Sequence, residues 1–143
     1  MKKRIETERV KPQHIRREVK LGWGGLNDIE WFVHLHEMRY PTATHAGENR
    51  KMPDRIHALL RAGLINALES DQLLAAREHL LRVRARLTLL GLTKDLIPEN
   101  PDKLDRLAHA SGEKDANSFL AKHERMIDRV RAIYQDGLER LRA

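Results

Sequence analysis

The sequence predicts an all-α fold: a bundle of about four to five helices, with two long antiparallel helices as its spine. Three observations carry this. Apolar residues recur at steps of three and four along Leu73 to Leu90 and again along Phe119 to Leu141. Pro, Gly and Asn stand where helices start and stop. No alternating apolar–polar run of useful length occurs anywhere in the chain.

The chain has 143 residues, the size of one ordinary domain. It lacks cysteine, which excludes disulfides and thiolate metal sites and fits a cytoplasmic protein. The first residues, MKKRIETERV, carry no apolar core of a signal peptide. No apolar run approaches a membrane span of roughly 20 residues. Lys and Arg outnumber Asp and Glu by 27 to 21, and much of the excess lies before Leu21. Such a balance suits phosphates, nucleic acid or an acidic protein face. Two Phe and two Tyr are too few to stack bases, which argues against nucleic acid.

Residues 1–21 read as a basic N-terminal helix and linker, and residues 22–143 as the helical bundle. Met1 to Val10 suits a polar helix ending before Pro12. Arg16 to Leu21 is compatible with a short extended run. A glycine loop, Gly22 to Gly25, leads into a helix over Leu26–Tyr40, with Leu26, Ile29, Phe32, Val33 and His36 on one face and Pro41 as its stop. Thr42 to Lys51 is a loop. Pro53 opens a second helix that Gly63 ends. Asn66 and Glu69 form a capping-box pair ahead of the long Leu73–Leu90 seam, closed by Gly91. Asn100 and Pro101 start a short helix ending at Gly112. The last helix runs from Ala116 to about Leu141, with Phe119, His123, Met126, Val130 and Ile133 in its seam.

The stretch VKLGWGGLNDIEW carries the candidate chemistry. Gly22, Gly24 and Gly25 allow close backbone approach ahead of a helix N-terminus, where free N–H groups and the dipole favour an anion. Lys20 adds charge just upstream. A ligand-free junction between loop and helix has the same spacing, so both readings stay open. Asp28 and Glu30 in the first turns either complement the dipole or hold a cation or water. They are two residues apart and do not share a face. Asp28 is the one expected to point toward a ligand, with Glu30 serving a neighbouring contact. Glu30 and His34 stand at i and i+4, a two-ligand face without a third ligand, so no metal site is assigned. His57, His79, His109 and His123 each stand alone and read as packing or surface residues. No Cys, serine elbow or Walker-type loop supports nucleophilic or P-loop chemistry.

KLGWGGLNDIEW resembles the K-x-G-P-G-G-(I/L)-R-(D/E)-I-E-F signature of bacterial glutamine synthetase adenylyltransferases, of which PII uridylyltransferases carry a looser version. The matching positions are Lys20, Gly22, Gly24, Gly25, Leu26, Asp28, Ile29 and Glu30. LLRAGLI, HLLRVRARLTLL (Arg82 and Arg86 at the family's arginines), LIPENPDKLDRLAHASG and Val130–Arg131 with Tyr134 resemble further family segments, in order, over nearly the whole chain. The departures are Trp23 for proline, Asn27 for arginine, and Arg84 where glutamate is frequent, the last implying a lost internal ion pair. The family's catalytic G-S-x-x-D-x-D motif does not occur in these 143 residues.

The resemblance implies the helical domain that follows a nucleotidyltransferase domain, in an enzyme attaching and removing AMP on glutamine synthetase. ATP and Mg²⁺ are implied for the parent enzyme and no cofactor for this chain alone. It is expected to be inactive alone and to complete the nucleotide or protein-substrate cleft. Lys20 and the loop amides would meet phosphates, and Asp28 would support the metal or the loop. Implied partners are the catalytic domain, glutamine synthetase and the PII signalling protein. The alternative is a standalone interaction module that binds a separate nucleotidyltransferase or glutamine synthetase.

Overall fold

The computed structural model describes residues 10–143. Among these, five α-helices follow a 3₁₀ turn at Pro12–His14: α1 (Leu26–Arg39), α2 (Met52–Arg61), α3 (Ala67–Leu89), α4 (Pro101–Ala110) and α5 (Ala116–Arg142). The all-α expectation holds, and the described residues contain no strand, only a lone bridge between Glu18 and Leu96. No helix among them is long and apolar enough to cross a membrane.

The helix boundaries follow local chemistry. The Asn66 side chain accepts from Glu69 N at 2.8 Å while Glu69 Oε1 accepts from Asn66 N at 3.0 Å, so the capping box forms in both directions. Asn100 caps α4 through Lys103 N, and Pro101 occupies its first turn, where a missing N–H costs nothing. Asp115, not singled out by the seam, caps α5 through Ser118 N.

Two ties fix the direction of the long helices. Glu69, early in α3, meets Arg140, late in α5, at 3.1 Å, and His79 meets His123 at 3.0 Å. The spine is therefore antiparallel, as the two seams predict. Leu73, Ala76, Leu80, Val83 and Leu87 are all buried. Each full burial of a leucine contributes roughly 1.5–3 kcal/mol. On α5 the inward stripe is wider than its predicted seam. Ile127, Tyr134 and Gly137 turn inward beside Phe119, His123, Val130 and Ile133, whereas Met126 is half-buried. The reason is that α5 packs against α1, α3 and α4 at once, so one a/d seam cannot face all three.

Against α1, α5 runs parallel: Gly24 lies on Ile127, Asp28 reaches Arg131, and Phe32 lies on Gly137. A Cβ at Gly137 would sit 2.5 Å from Phe32 Cε2. That helical glycine is where the two axes come close enough for the Phe32 ring to lie on bare backbone.

The expected Met1–Val10 helix lies mostly outside the described residues. Residues 10–21, read as linker, pack on the bundle, with Val10 and Val19 buried. Val19 N donates to Asp95 O at 2.8 Å and Ile97 N to Arg17 O at 3.0 Å, which fastens this strap to the α3–α4 connection. Arg17 also pairs with Glu99, and Arg16 with Asp128 on α5 at 2.9 Å. The extended run expected near Arg16–Leu21 is thus a short pairing flanked by turns. Arg84 corrects the expectation of a lost ion pair: its Nε lies 2.6 Å from Asp95 Oδ1, on the same connection.

Candidate functional site: the glycine joint and its flanking cleft

The loop Gly22–Gly25 is folded onto the bundle. Gly24 adopts φ +65°, and a Cβ there would lie 2.5 Å from Ile127 Cα on α5. Left-handed backbone and contact with a neighbouring helix each demand glycine at this position. Cβ atoms at Gly22 or Gly25 would also meet backbone oxygens inside 3.0 Å, those of Glu18 and Ile15 for Gly22 and that of Val19 for Gly25. The three glycines therefore let the strap, the loop and α5 occupy one small volume.

The N–H groups expected to receive an anion already have acceptors within the chain. Gly22 N donates to Glu18 O, Trp23 N to Ile15 O, Gly25 N to Gly22 O, Leu26 N to Val19 O and Asn27 N to Lys20 O. Gly24 N donates to Asp28 Oδ2 at 2.6 Å. Upstream, Lys20 N and Leu21 N donate to the Glu18 carboxylate at 2.7 and 3.0 Å. Burial is the leading influence on that carboxyl and raises its pKa, against the lowering effect of these two bonds. Of the residues singled out for phosphate contact, Lys20 is the exposed one that offers a charged side chain.

Asp28 is fully buried. Besides the Gly24 amide, its carboxylate meets Arg131 Nη1 at 3.3 Å. The Arg131 guanidinium lies 5.1 Å from the Trp23 ring centroid and 5.5 Å from that of Tyr134. Asp28 thus points into the joint, toward α5. Trp23, standing where the resembled signature has proline, supplies one face of this cation–π stack and remains 40% exposed. Sequence alone placed Arg131 only in a closing family segment; nothing in its spacing links it to Asp28.

Glu30 faces outward, on an open cleft of about 350 Å³ lined by Asn27, Glu30, Trp31, His34, Met52 and Arg55. Trp31 and His34 meet edge to face at 5.8 Å. Arg55 is tied to Glu37 by paired hydrogen bonds, which raise its pKa. Asn27 Nδ2 is buried without a hydrogen-bond partner. The expected i, i+4 pair Glu30 and His34 does share this cleft. Among the described residues, however, no three acidic or histidine side chains gather to hold a metal ion.

Two histidines read as isolated come together. His79 Nε2 and His123 Nδ1 are 3.0 Å apart in the α3–α5 interface, with His123 stacked near Phe119. Desolvation lowers both pKa values, His79 to about 4 and His123 to about 3. Lys122 and Arg86 push His79 further down, and His79 does the same to His123. The available signal was positional: His123 sits within the α5 seam, and His79 precedes a seam leucine on α3.

Comparisons with known proteins find relatives over most of the chain. The family model described as GlnD PII-uridylyltransferase matches residues 1–138. A bifunctional glutamine synthetase adenylyltransferase/adenylyl-removing enzyme of Mycobacterium leprae is 33% identical over 135 residues, which is 92% of this chain and 13% of that protein. The enzyme of the same name from Cutibacterium acnes is 34% identical over 115 residues, 78% of this chain and 12% of its own length. That of Streptomyces coelicolor is 30% identical over 142 residues, covering 95% and 14%. The chain therefore spans about one eighth of the length of these relatives.

Proposed function

Because the chain belongs to the GlnD PII-uridylyltransferase family, we propose that it works as a helical accessory domain of a glutamine synthetase adenylyltransferase-like nucleotidyltransferase. In this role it packs on a catalytic domain and completes the cleft used in AMP transfer to or from glutamine synthetase. The observation that carries the reading is a family match over nearly the whole chain, in a sequence without the G-S-x-x-D-x-D carboxylates. Phosphoryl-type transfer needs metal-held phosphates and an oriented nucleophile. Asp28 is engaged inside the joint, and among the described residues no three acidic or histidine side chains converge on Glu30 or elsewhere, so these residues do not fit a Mg²⁺–ATP site. ATP and Mg²⁺ belong, in this proposal, to the catalytic partner.

The glycine joint serves as a rigid seat rather than a phosphate cradle. It fixes the direction in which Lys20, Trp23, Glu30 and the Asn27–Arg55 cleft face the catalytic domain. Lys20, exposed beside the joint, is the residue that would approach a phosphate. Glutamine synthetase as protein substrate, PII as a regulatory partner and a cytoplasmic setting belong to the same proposal.

The test uses a relative's enzyme from which the matching segment has been removed. Adding this chain should restore AMP transfer to glutamine synthetase, and Lys20→Ala should weaken that restoration. If the chain neither binds the truncated enzyme nor changes its rate, the accessory-domain reading fails. Nucleotide-independent capture of glutamine synthetase by the chain alone would favour a standalone interaction module.

A further inference from the structure

A second pocket lies along the middle and later turns of α3. It has a volume of about 190 Å³, and its wall includes Glu78, His79, Arg82, Arg86, Glu113 and Lys122. Arg82 and Arg86 stand one turn apart on α3, a like-charge arrangement that is mildly unfavourable by itself. Lys122 joins them from α5. Two carboxylates offset part of this charge: Glu78 pairs with Arg82, and Glu113 lies 3.6 Å from Lys122. Arg86 has no ion pair or side-chain hydrogen bond among the described residues, and it is half-buried. With His79 and His123 neutral, three cations face two anions, leaving one guanidinium fork uncompensated.

We propose that this pocket between α3, the α4–α5 connection and α5 binds a compact oxyanion of the phosphate type, with Arg86 and Lys122 as its principal ligands. Size selects the ligand class. The volume far exceeds the roughly 10–15 Å³ that a cavity needs to hold one water. It falls below the roughly 300–1,000 Å³ of pockets that enclose drug-sized ligands. A phosphate group fits this space. A planar guanidinium fork with a neighbouring ammonium is a donor set suited to such an anion. Two sources share this chemistry, inorganic phosphate and the phosphate of a monoester whose remainder stays outside.

His79 supplies an internal reporter. It is surrounded by Glu78, Arg82 and Arg86 on α3, Lys122 and His123 on α5, and Glu113 from the connection, with Arg16 and Asp128 beyond His123. Lys122 and Arg86 lower its pKa from within the pocket. An anion seated between them offsets both, so the His79 pKa rises on binding.

The 143-residue chain is titrated with inorganic phosphate at constant ionic strength, the balance being chloride, while the histidine and arginine side-chain resonances are followed. Saturable shifts at His79 and Arg86, with an upward move of the His79 pKa, are expected. Arg86→Ala and Lys122→Ala should each weaken binding about tenfold or more, whereas the exposed Arg125→Ala should not. Arg86→Lys keeps the charge without the fork and should fall between; unchanged helicity in each variant separates lost binding from lost folding. Adenosine monophosphate in place of phosphate distinguishes the sources: shifts at the same resonances assign a monoester as well. A response to the nucleotide alone, at the same His79 and Arg86 resonances, assigns the monoester as the ligand; non-saturable shifts, equal response to chloride, or an Arg86→Ala variant that binds normally would each overturn the proposal.

Discussion

Asp28 and Arg131, 103 residues apart, meet at 3.3 Å, with the Asp28 carboxylate also accepting the Gly24 amide at 2.6 Å. The contact joins the glycine loop to the last helix. Removing one partner of a buried pair leaves the other charge without compensation, at about 3–5 kcal/mol. Asp28→Ala should therefore lower the urea midpoint strongly. Asp28→Asn, which keeps an acceptor for Gly24, should cost less. A double-mutant cycle with Arg131→Met should show coupling well above 0.5 kcal/mol. Additive effects would mean the pair is incidental.

Gly24 and Gly63 both have positive φ, +65° and +73°, but only Gly24 has backbone where a Cβ would go. Gly63→Ala should cost about 1–2 kcal/mol, the price of left-handed backbone. Gly24→Ala should cost clearly more or prevent folding, because Ile127 must move as well. Thermal unfolding of the two variants side by side checks this. Equal losses would remove the argument that the joint exists for close approach.

Gly137→Ala drives a methyl group into the Phe32 ring, with His36 behind it. Overpacking of this kind costs about 1–3 kcal/mol. Phe32→Leu alone should also destabilise. The two together should lose less than their sum, since the smaller side chain vacates the space that the methyl needs. Strict additivity of the melting shifts would contradict the packing described for α1 and α5.

The His79–His123 pair sets a direction for acid sensitivity. Both pKa values are lower in the folded chain, about 4 and about 3, than the usual 6.5. His36 is also lowered, chiefly by burial. Between these folded values and 6.5 the unfolded chain binds more protons, so stability rises with pH across that window. It is fully present above about pH 6.5 and falls as pH drops toward 4, by on the order of a few kcal/mol. A urea series from pH 7.5 to 4 should show this slope, and His79→Gln with His123→Gln should flatten it. A wild-type profile flat from 7 to 5 would mean that the pair is solvated.

Much of the frame was legible because helix ends are local. Asn66 with Glu69, Pro101 and Gly63 each act within four residues, so spacing suffices to place them. The seam of α3 was legible for the same reason. The α5 stripe was only partly so, since Ile127, Tyr134 and Gly137 turn inward to meet α1, a helix about a hundred residues earlier. The site was least legible. Its glycines suggested close approach, and close approach is what they provide, but the object approached is α5. The loop amides suggest an anion site and Asp28 a support for it, and only their partners, Ile15, Val19 and Arg131, reveal that they are internally bonded. His79 and His123 are 44 residues apart, beyond the reach of any helical spacing.

The parallel contact of α1 with α5 also orders events in time. Gly24 needs Ile127, Asp28 needs Arg131, and Phe32 needs Gly137. At a synthesis rate of about 5–20 residues per second, some 5 to 20 s separate the emergence of Asp28 from that of Arg131. The glycine segment emerges well before the helix that completes it. Until α5 arrives, a buried-type aspartate and a bare glycine turn stand in water. The α2–α3 hairpin and the capped α3 can form meanwhile from near-neighbour contacts, leaving closure of the joint as the slow, non-local step of folding.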